Sequence, residues 1–264
     1  MMKVVTLSSS SKGNSVLIMG EQTNLLIDAG IKMSSLIEKL QILNCDPNSI
    51  KAILSTHEHS DHIKSVGSMM RKFGCMLYVH ADGHDAVLKK IGHVDERKVV
   101  TFYDQPFCVG EFEIKCFHLP HDSVSCVGFV VKCGSSKFAY ATDLGYASEE
   151  TVENLKNCKL VILESNHDDK MLINNPNYSD FLKRRIIGRR GHLSNVASAK
   201  VICTLAQNNV KQVVLAHLSL ENNTPSLCYQ TVCEYLEAMG IIPGTNIKID
   251  VAPAQSIGTV FVIK

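Results

Sequence analysis

The feature that most constrains this chain is a run of metal-binding residue types at positions 55–62, read as Ser-Thr-His-Glu-His-Ser-Asp-His. Imidazole and carboxylate groups are ligands that a borderline cation such as Zn²⁺ accepts. Residues two apart on an extended segment point the same way, so His57 and His59 can hold one ion. Asp61 and His62 follow directly and can reach a second ion nearby. The alternative is a polar loop whose histidines hydrogen-bond locally.

The apolar residues 52–54 in front of this run predict a buried strand, so we expect the motif on the loop that leaves the strand. Three further candidate ligands also follow strand-like runs. His121 comes after the strand break at Pro120, Asp143 follows the strand 137–141, and His217 follows the strand 212–216. A strand-end carboxylate such as Asp143 can offer one oxygen to each of two ions, although it could instead cap a helix.

Composition favours a globular protein without a strong global charge. The chain has 264 residues, of which 45% are hydrophobic and 20% charged, and its formal net charge is +1. This length fits one domain spanning residues 1–264. No apolar run approaches the length of a membrane span, and the N-terminus enters a strand-like run without a secretory signal. Ten cysteines without a C-x-x-C pair indicate reduced thiols, and we therefore expect a cytoplasmic protein.

Two segments are candidates for anion binding. The run 8–15, which contains Lys12 and Asn14, reads as a Ser/Gly loop that could cradle an anion or form a plain β-turn. The segment 165–190 reads as irregular and polar. It carries a run of cations that predicts either a phosphate-binding stripe or a solvated helix face. The cations in this run are Lys183, Arg184, Arg185, Arg189 and Arg190.

Two strand-end or helix-start positions have open roles. Asp28 follows the strand beginning at Asn24 and is predicted either to stabilise a turn or to support a ligand histidine through a hydrogen bond. Ser194 or Asn195 is predicted to cap a helix that begins near Val196.

The order of these residues along the chain resembles the five motifs of the metallo-β-lactamase-fold hydrolases. The resemblance implies an α/β (α+β) fold, a four-layer αββα sandwich of two similar βα halves with the site at one edge between the sheets. It implies two divalent ions, Zn²⁺ or Mn²⁺ with Fe also compatible. The first ion would be held by His57, His59 and His121, the second by Asp61, His62 and His217, and both by Asp143. True β-lactamases of this fold commonly have cysteine where Asp143 stands, so antibiotic hydrolysis is disfavoured.

Further motifs resemble the bacterial YycJ/WalJ-type exonuclease group: the run 8–15, the runs 142–145 and 164–168, the run 191–195, and His217 with the asparagines that follow. This resemblance implies a phosphodiester hydrolase, namely a 5′-to-3′ exonuclease whose substrate is a nucleic acid, with DNA favoured over RNA as that substrate. A hydroxide activated by two metal ions would attack phosphorus. Asp61, His192 and His167 would then be catalytic. Substrate contacts would come from Lys12, Asn14, Arg184, Arg185, Arg189, Arg190, Ser194, Asn195, Asn222 and Asn223.

Two other functions compete with the nuclease. A small-molecule phosphodiesterase or a thioesterase of the same fold would use the same ligands, and the basic run near His192 favours a nuclease over either of them. A catalytically inactive binding protein is disfavoured because it would have no need for seven candidate ligands.

Overall fold

The computed structural model describes all 264 residues. It contains 14 strands: β1 (Met2–Ser10), β2 (Gly13–Met19), β3 (Asn24–Ile27), β4 (Ile50–Leu54), β5 (Met76–His80), β6 (Val99–Phe102), β7 (Phe107–Val109), β8 (Phe112–His118), β9 (Val127–Cys133), β10 (Ser136–Ala141), β11 (Leu160–Glu164), β12 (Gln212–Ala216), β13 (Lys248–Val251) and β14 (Phe261–Ile263). The nine α-helices are α1 (Met33–Ile42), α2 (Ser60–Ile63), α3 (Val66–Phe73), α4 (His84–Ile91), α5 (Glu149–Leu155), α6 (Asp169–Asn174), α7 (Asp180–Ile187), α8 (Asn195–Gln207) and α9 (Pro225–Ala238).

The strands form two seven-stranded sheets that repeat one plan. The first has the order β14-β1-β2-β3-β4-β5-β6 and the second the order β13-β12-β11-β10-β9-β8-β7. In each sheet one half is antiparallel and the other is parallel, with β3 to β6 parallel in the first and β10 to β13 parallel in the second. The last strand, β14, crosses over to pair with β1, so the C-terminal half contributes to the first sheet.

Three hydrophobic layers hold the two sheets and their helices together. Alternate residues of one strand face opposite layers: Val4 lies in the cluster between the sheets, and Val5 lies in the cluster between the first sheet and its helices. Val130 of the second sheet lies in the third cluster, which includes residues of α8 and α9. Because both faces of each sheet are covered, the central strands are continuous apolar runs. The predicted four-layer αββα sandwich is confirmed.

The structure corrects two local predictions. The Ser/Gly run 8–15 is not a loop, because β1 and β2 continue through it and only residues 11 and 12 form the turn. Its hydroxyls are used inside the fold, where Ser9 Oγ accepts from His217 N at 2.8 Å. The segment 165–190 is not irregular, since Asp168 caps α6 and Ser179 caps α7 through their side-chain oxygens.

The topology brings six strand ends to one edge of the molecule. Strands β3 and β4 are parallel, as are β10, β11 and β12, and β8 runs in the same direction as β10 because both are antiparallel to β9. The residues that follow these strands therefore meet at the same edge, which is where ligands bind in open α/β sheets.

None of the helices combines the length and apolar character needed to span a bilayer.

Candidate metal centre

The histidine-rich loop leaves β4 and enters the short helix α2. His57 is 2% exposed and His62 is fully buried. The loop packs tightly on the segment after β3, where Ala29 N donates to the carbonyl of His62 at 2.8 Å. A Cβ at Gly30 would lie 1.6 Å from the carbonyl oxygen of Asp61, so only glycine allows this close approach.

The candidate ligands form two groups, and in each group the possible ligand atoms lie within 4.8 Å of one another. His57, His59 and His121 form the first group, with ring centroids 4.6–5.2 Å apart. The second group consists of Asp61, His62 and His217. In it Asp61 Oδ2 lies 3.3 Å from His62 Nε2 and 3.6 Å from His217 Nε2.

Asp143 lies between the two groups. Its Oδ2 is 3.2 Å from His62 Nε2, and its Oδ1 is 3.8 Å from His121 Nε2. Burial raises the pKa of this carboxyl, but the imidazoles of His217 and His62 outweigh burial and hold the pKa well below its usual range. The ionised carboxylate is positioned to offer one oxygen to each of the two ligand groups, as expected of a carboxylate shared by two metal sites.

Three of the five candidate ligand rings are held from outside through Nδ1. His62 Nδ1 donates to Asp28 Oδ2 at 2.7 Å, and His217 Nδ1 donates to Glu164 Oε1 at 2.8 Å. His121 Nδ1 lies 3.2 Å from the carbonyl of Gly191. Such contacts to Nδ1 fix the ring so that Nε2 points to a metal. Asp28 therefore has the predicted supporting geometry.

Two buried nitrogen atoms provide a test of whether the cluster fits a metal. His57 Nε2 and His217 Nε2 have no hydrogen-bond partner, although buried polar atoms almost always have one. Burial, followed by the neighbouring charge of His62, lowers the pKa of His57 well below its usual value, which leaves a neutral ring with a free lone pair. The donor set, the unsatisfied nitrogens and the outer hydrogen bonds all fit divalent metal ions.

Glu164 is a functional residue to which the sequence analysis assigned no role. Its Oε1 accepts from both His192 Nδ1 and His217 Nδ1 at 2.8 Å, and its Oε2 accepts from two backbone amides. Burial raises the pKa of this fully buried carboxyl, but His192 and His217 lower it to about 2. The sequence feature that could have revealed Glu164 is its position at the end of the buried strand β11. Asp28 occupies a similar position directly after β3.

Residues 23–218 match the family model described as the beta-lactamase superfamily domain, and this range contains all seven candidate ligands. The chain belongs to the β-lactamase superfamily. It is a hydrolase of the metallo-β-lactamase fold, and its cluster is of the kind that serves divalent metal ions.

Two superfamily relatives match nearly the whole chain. The exodeoxyribonuclease WalJ of Streptococcus pneumoniae (strain D39) is 33% identical over 255 residues, which cover 95% of this chain and 94% of that protein. The exodeoxyribonuclease YycJ of Bacillus anthracis is 32% identical over 246 residues, or 92% of each chain. The resemblance to this group is thereby confirmed.

Among solved structures, Zn²⁺-bound PqqB from Methylobacterium extorquens superposes with a TM-score of 0.69 over 97% of this chain and 99% of that chain. The two sequences are 16% identical, so the likeness concerns the fold.

A cavity of about 170 Å³ lies next to the cluster. His192 lines it, together with Arg185 and Ser219, while its Nδ1 is held by Glu164. His167, the other candidate acid, is 1% exposed and is not among the residues that line this cavity. Of the two histidines, only His192 therefore lines this cavity.

The four asparagines predicted to contact substrate are all buried and hydrogen-bonded within the protein. Asn14 is 1% exposed, and its amide lies 3.1 Å from His62 Nε2 and 3.3 Å from Asp61 Oδ2. Asn195 and Asn223 hydrogen-bond to each other at 2.9 and 3.1 Å, and Asn222 accepts from Asn175 at 2.7 Å. Ser194 caps α8 by accepting from Ala197 N.

The basic run does not form a single stripe of free cations. Arg190 donates to the carbonyls of His121 and Ser123 at 2.8 and 3.1 Å and so braces the loop that carries His121. Arg189 lies over the ring of Tyr146 at 4.6 Å. Arg185 pairs with Asp122 at the rim of the cavity, and Arg184 is exposed on α7 without a polar contact.

Proposed function

We propose that this hydrolase is a metal-dependent nuclease that cleaves DNA from an end, using two divalent ions. The observation that carries the proposal is the convergence of seven imidazole and carboxylate ligands beside a cavity lined by another histidine and an arginine. The two relatives named exodeoxyribonucleases support a nucleic-acid substrate.

The proposed ligand roles follow the two groups in the structure. His57, His59 and His121 would hold one ion, Asp61, His62 and His217 would hold the other, and Asp143 would contribute to both. Zn²⁺ and Mn²⁺ suit these ligands, and Fe is also compatible. When bound, such ions neutralise charge on phosphoryl oxygens and lower the pKa of water toward neutrality.

The protein's own groups position the reactants. The side chain of Asp61 is 21% exposed and lies at the opening of the second group, where its carboxylate can orient the attacking water. His192 is held through Nδ1, so its other nitrogen is available to bind a phosphoryl oxygen or to protonate the leaving oxygen. Arg185 is positioned to contact a phosphate at the rim of the same cavity.

The test is digestion of DNA and RNA oligonucleotides labelled at either end, single- and double-stranded, by metal-free protein to which Zn²⁺, Mn²⁺ or Fe²⁺ is restored. We expect stepwise release of nucleotides from the 5′ end of DNA, and less from RNA. Cleavage of a model phosphodiester such as bis(4-nitrophenyl) phosphate, with no action on either nucleic acid, would instead establish a small-molecule phosphodiesterase.

A further inference from the structure

A second, larger cavity is lined by lysines. It has a volume of about 430 Å³, and four cations, Lys12, Lys32, Lys39 and Lys64, line it together with the hydroxyl-bearing residues Ser10 and Ser35. No aspartate or glutamate contributes to its wall. Since the whole chain carries a net charge of only +1, this cavity is a strong local concentration of positive charge.

None of these four lysines forms an ion pair in the structure. Lys39 is only 8% exposed, and its Nζ donates to the carbonyl of Gln255 at 2.6 Å without a carboxylate partner. Burial lowers the pKa of this ammonium group, and a bound anion would oppose that effect. Buried charges in proteins are normally paired, so Lys39 is a candidate to bind an anion that enters this cavity.

The first turn of α1 adds to the positive potential. Lys32 is the N-cap residue of this ten-residue helix, and no side chain caps the helix by a hydrogen bond. The N-terminal amides of a helix carry partial positive charge that favours anions. Phosphate groups, which accept hydrogen bonds from ammonium, hydroxyl and amide donors, match every polar donor of the cavity.

The lysine cavity adjoins the substrate side of the metal centre. Ser11 and Lys12 form the turn between β1 and β2; Ser11 lines the cavity of His192, and Lys12 lines the lysine cavity. Lys64 directly follows α2, the helix that carries Asp61 and His62. A chain of phosphates held at the metal centre can therefore pass over this turn into the lysine cavity.

We propose that the lysine cavity binds phosphates of the nucleic-acid backbone next to the phosphodiester that is hydrolysed. The inference rests on the proposed nuclease function and adds to it a binding site for the substrate strand. It extends to Lys32, Lys39 and Lys64 the substrate-binding role that the sequence had suggested for Lys12 and the arginine run. Phosphate contacts of this kind are independent of base sequence and are weakened by salt.

The experiment measures DNA binding by fluorescence anisotropy and DNA digestion by steady-state kinetics, each between 50 and 200 mM KCl. For Lys32→Glu we expect at least a tenfold rise in Kd and KM with little change in kcat. For Lys12→Gln we expect a smaller rise in both constants. In Lys12→Gln the slope of log Kd against log salt should fall by roughly 0.7–0.9, the value for one lost phosphate contact.

Lys89→Glu is the matched control, because Lys89 is exposed on α4 and lies outside both cavities. This control should bind and digest DNA as the unchanged protein does. A glutamate at position 32, the N-cap of α1, is compatible with the helix dipole because negative charge is favourable at a helix N-terminus. An unaltered melting temperature would show that Lys32→Glu still folds.

The possible outcomes separate the two proposals. If the unchanged protein digests DNA and both lysine variants keep Kd and KM within twofold of it, the lysine cavity is not a phosphate site. The other outcome is that neither the unchanged protein nor any variant digests DNA, while Lys32→Glu still weakens DNA binding tenfold more than Lys89→Glu does. In that case the phosphate site stands and the nuclease assignment fails.

Discussion

At the scale of single residues, Glu164 connects two parts of the site. One oxygen accepts the Nδ1 hydrogens of both His192 and His217, so a single carboxylate sets the orientation of a metal-ligand candidate and of the histidine that lines the adjacent cavity. The other oxygen is tied to the backbone amides of Leu144 and Leu193. The four contacts leave Glu164 no freedom to rotate.

We expect Glu164→Gln to lower metal affinity and kcat/KM by roughly 10- to 100-fold, because the amide has only one acceptor oxygen for four donors. Metal titration and steady-state kinetics would measure the two effects. Glu113→Gln, at an exposed position on β8, is the control and should change neither. Unaltered metal affinity in Glu164→Gln would contradict the positioning role.

The ligand and substrate roles predict different phenotypes for Asp143 and His192. Asp143→Ala should abolish turnover together with loss of bound metal, because it removes the carboxylate between the two groups. His192→Ala should retain metal while slowing cleavage by about 10²–10⁴-fold, the usual contribution of a positioned acid or base. Metal content measured on both purified variants distinguishes them, and a collapse of metal content in His192→Ala would show that its assigned role is wrong.

At the scale of elements, the turn between β7 and β8 is joined to the first sheet through Glu111. Its Oε1 accepts from the backbone amides of Gln22 and Thr23, in the turn between β2 and β3. Partial burial raises the pKa of this carboxyl, but hydrogen bonds from Thr23 and Gln22 outweigh burial and lower the pKa from 4.5 to about 2. The contact therefore links the two sheets through an ionised group.

Because the folded-state pKa of Glu111 lies below the unfolded one, its stabilisation is complete above pH 4.5 and is lost as the pH falls toward 2. We expect Glu111→Gln to lower the free energy of unfolding by about 1 kcal/mol at neutral pH. The difference from the unchanged protein should stay constant between pH 7 and 5 and shrink below pH 4.5. Urea unfolding at each pH measures it, with Glu113→Gln as the exposed control; a difference that grew on acidification would refute this account.

At the scale of the whole molecule, the metal centre draws its ligands from both sheets. His57, His59, Asp61 and His62 follow β4 of the first sheet, whereas His121, Asp143 and His217 follow strands of the second. The complete set exists only when both halves are folded and packed together. Bound metal must therefore stabilise the native state over the unfolded chain.

We expect the melting temperature to fall on chelation and to recover when Zn²⁺ or Mn²⁺ is restored. At a free metal concentration 100 times Kd the stabilisation is about 2.7 kcal/mol. Differential scanning fluorimetry measures the shift. In Asp143→Ala the metal-dependent change in melting temperature should be much smaller. A change as large as that of the unchanged protein would show that the stabilising metal binds elsewhere.

The sequence alone determined the chemistry of the metal centre. The spacing within residues 57–62 is a local property of the chain, and the apolar runs marked the strands after which His121, Asp143 and His217 stand. Strand ends on one edge follow from parallel pairing, so their convergence was predictable. The four-layer sandwich came from the family resemblance, because periodicity reveals strands and helices but not their order in a sheet.

Only the tertiary structure decided the roles of polar residues outside the ligand set. Asn14, Asn195 and Asn223 were predicted from the sequence to contact substrate, yet packing buries them in hydrogen bonds to partners 28 to 58 positions away in the chain. Lys12, Lys32 and Lys39 are scattered in the sequence and meet only because the β1–β2 turn and α1 pack side by side. Local patterns reveal what a side chain is able to do, whereas its partners and its access to solvent are set by segments far away along the chain.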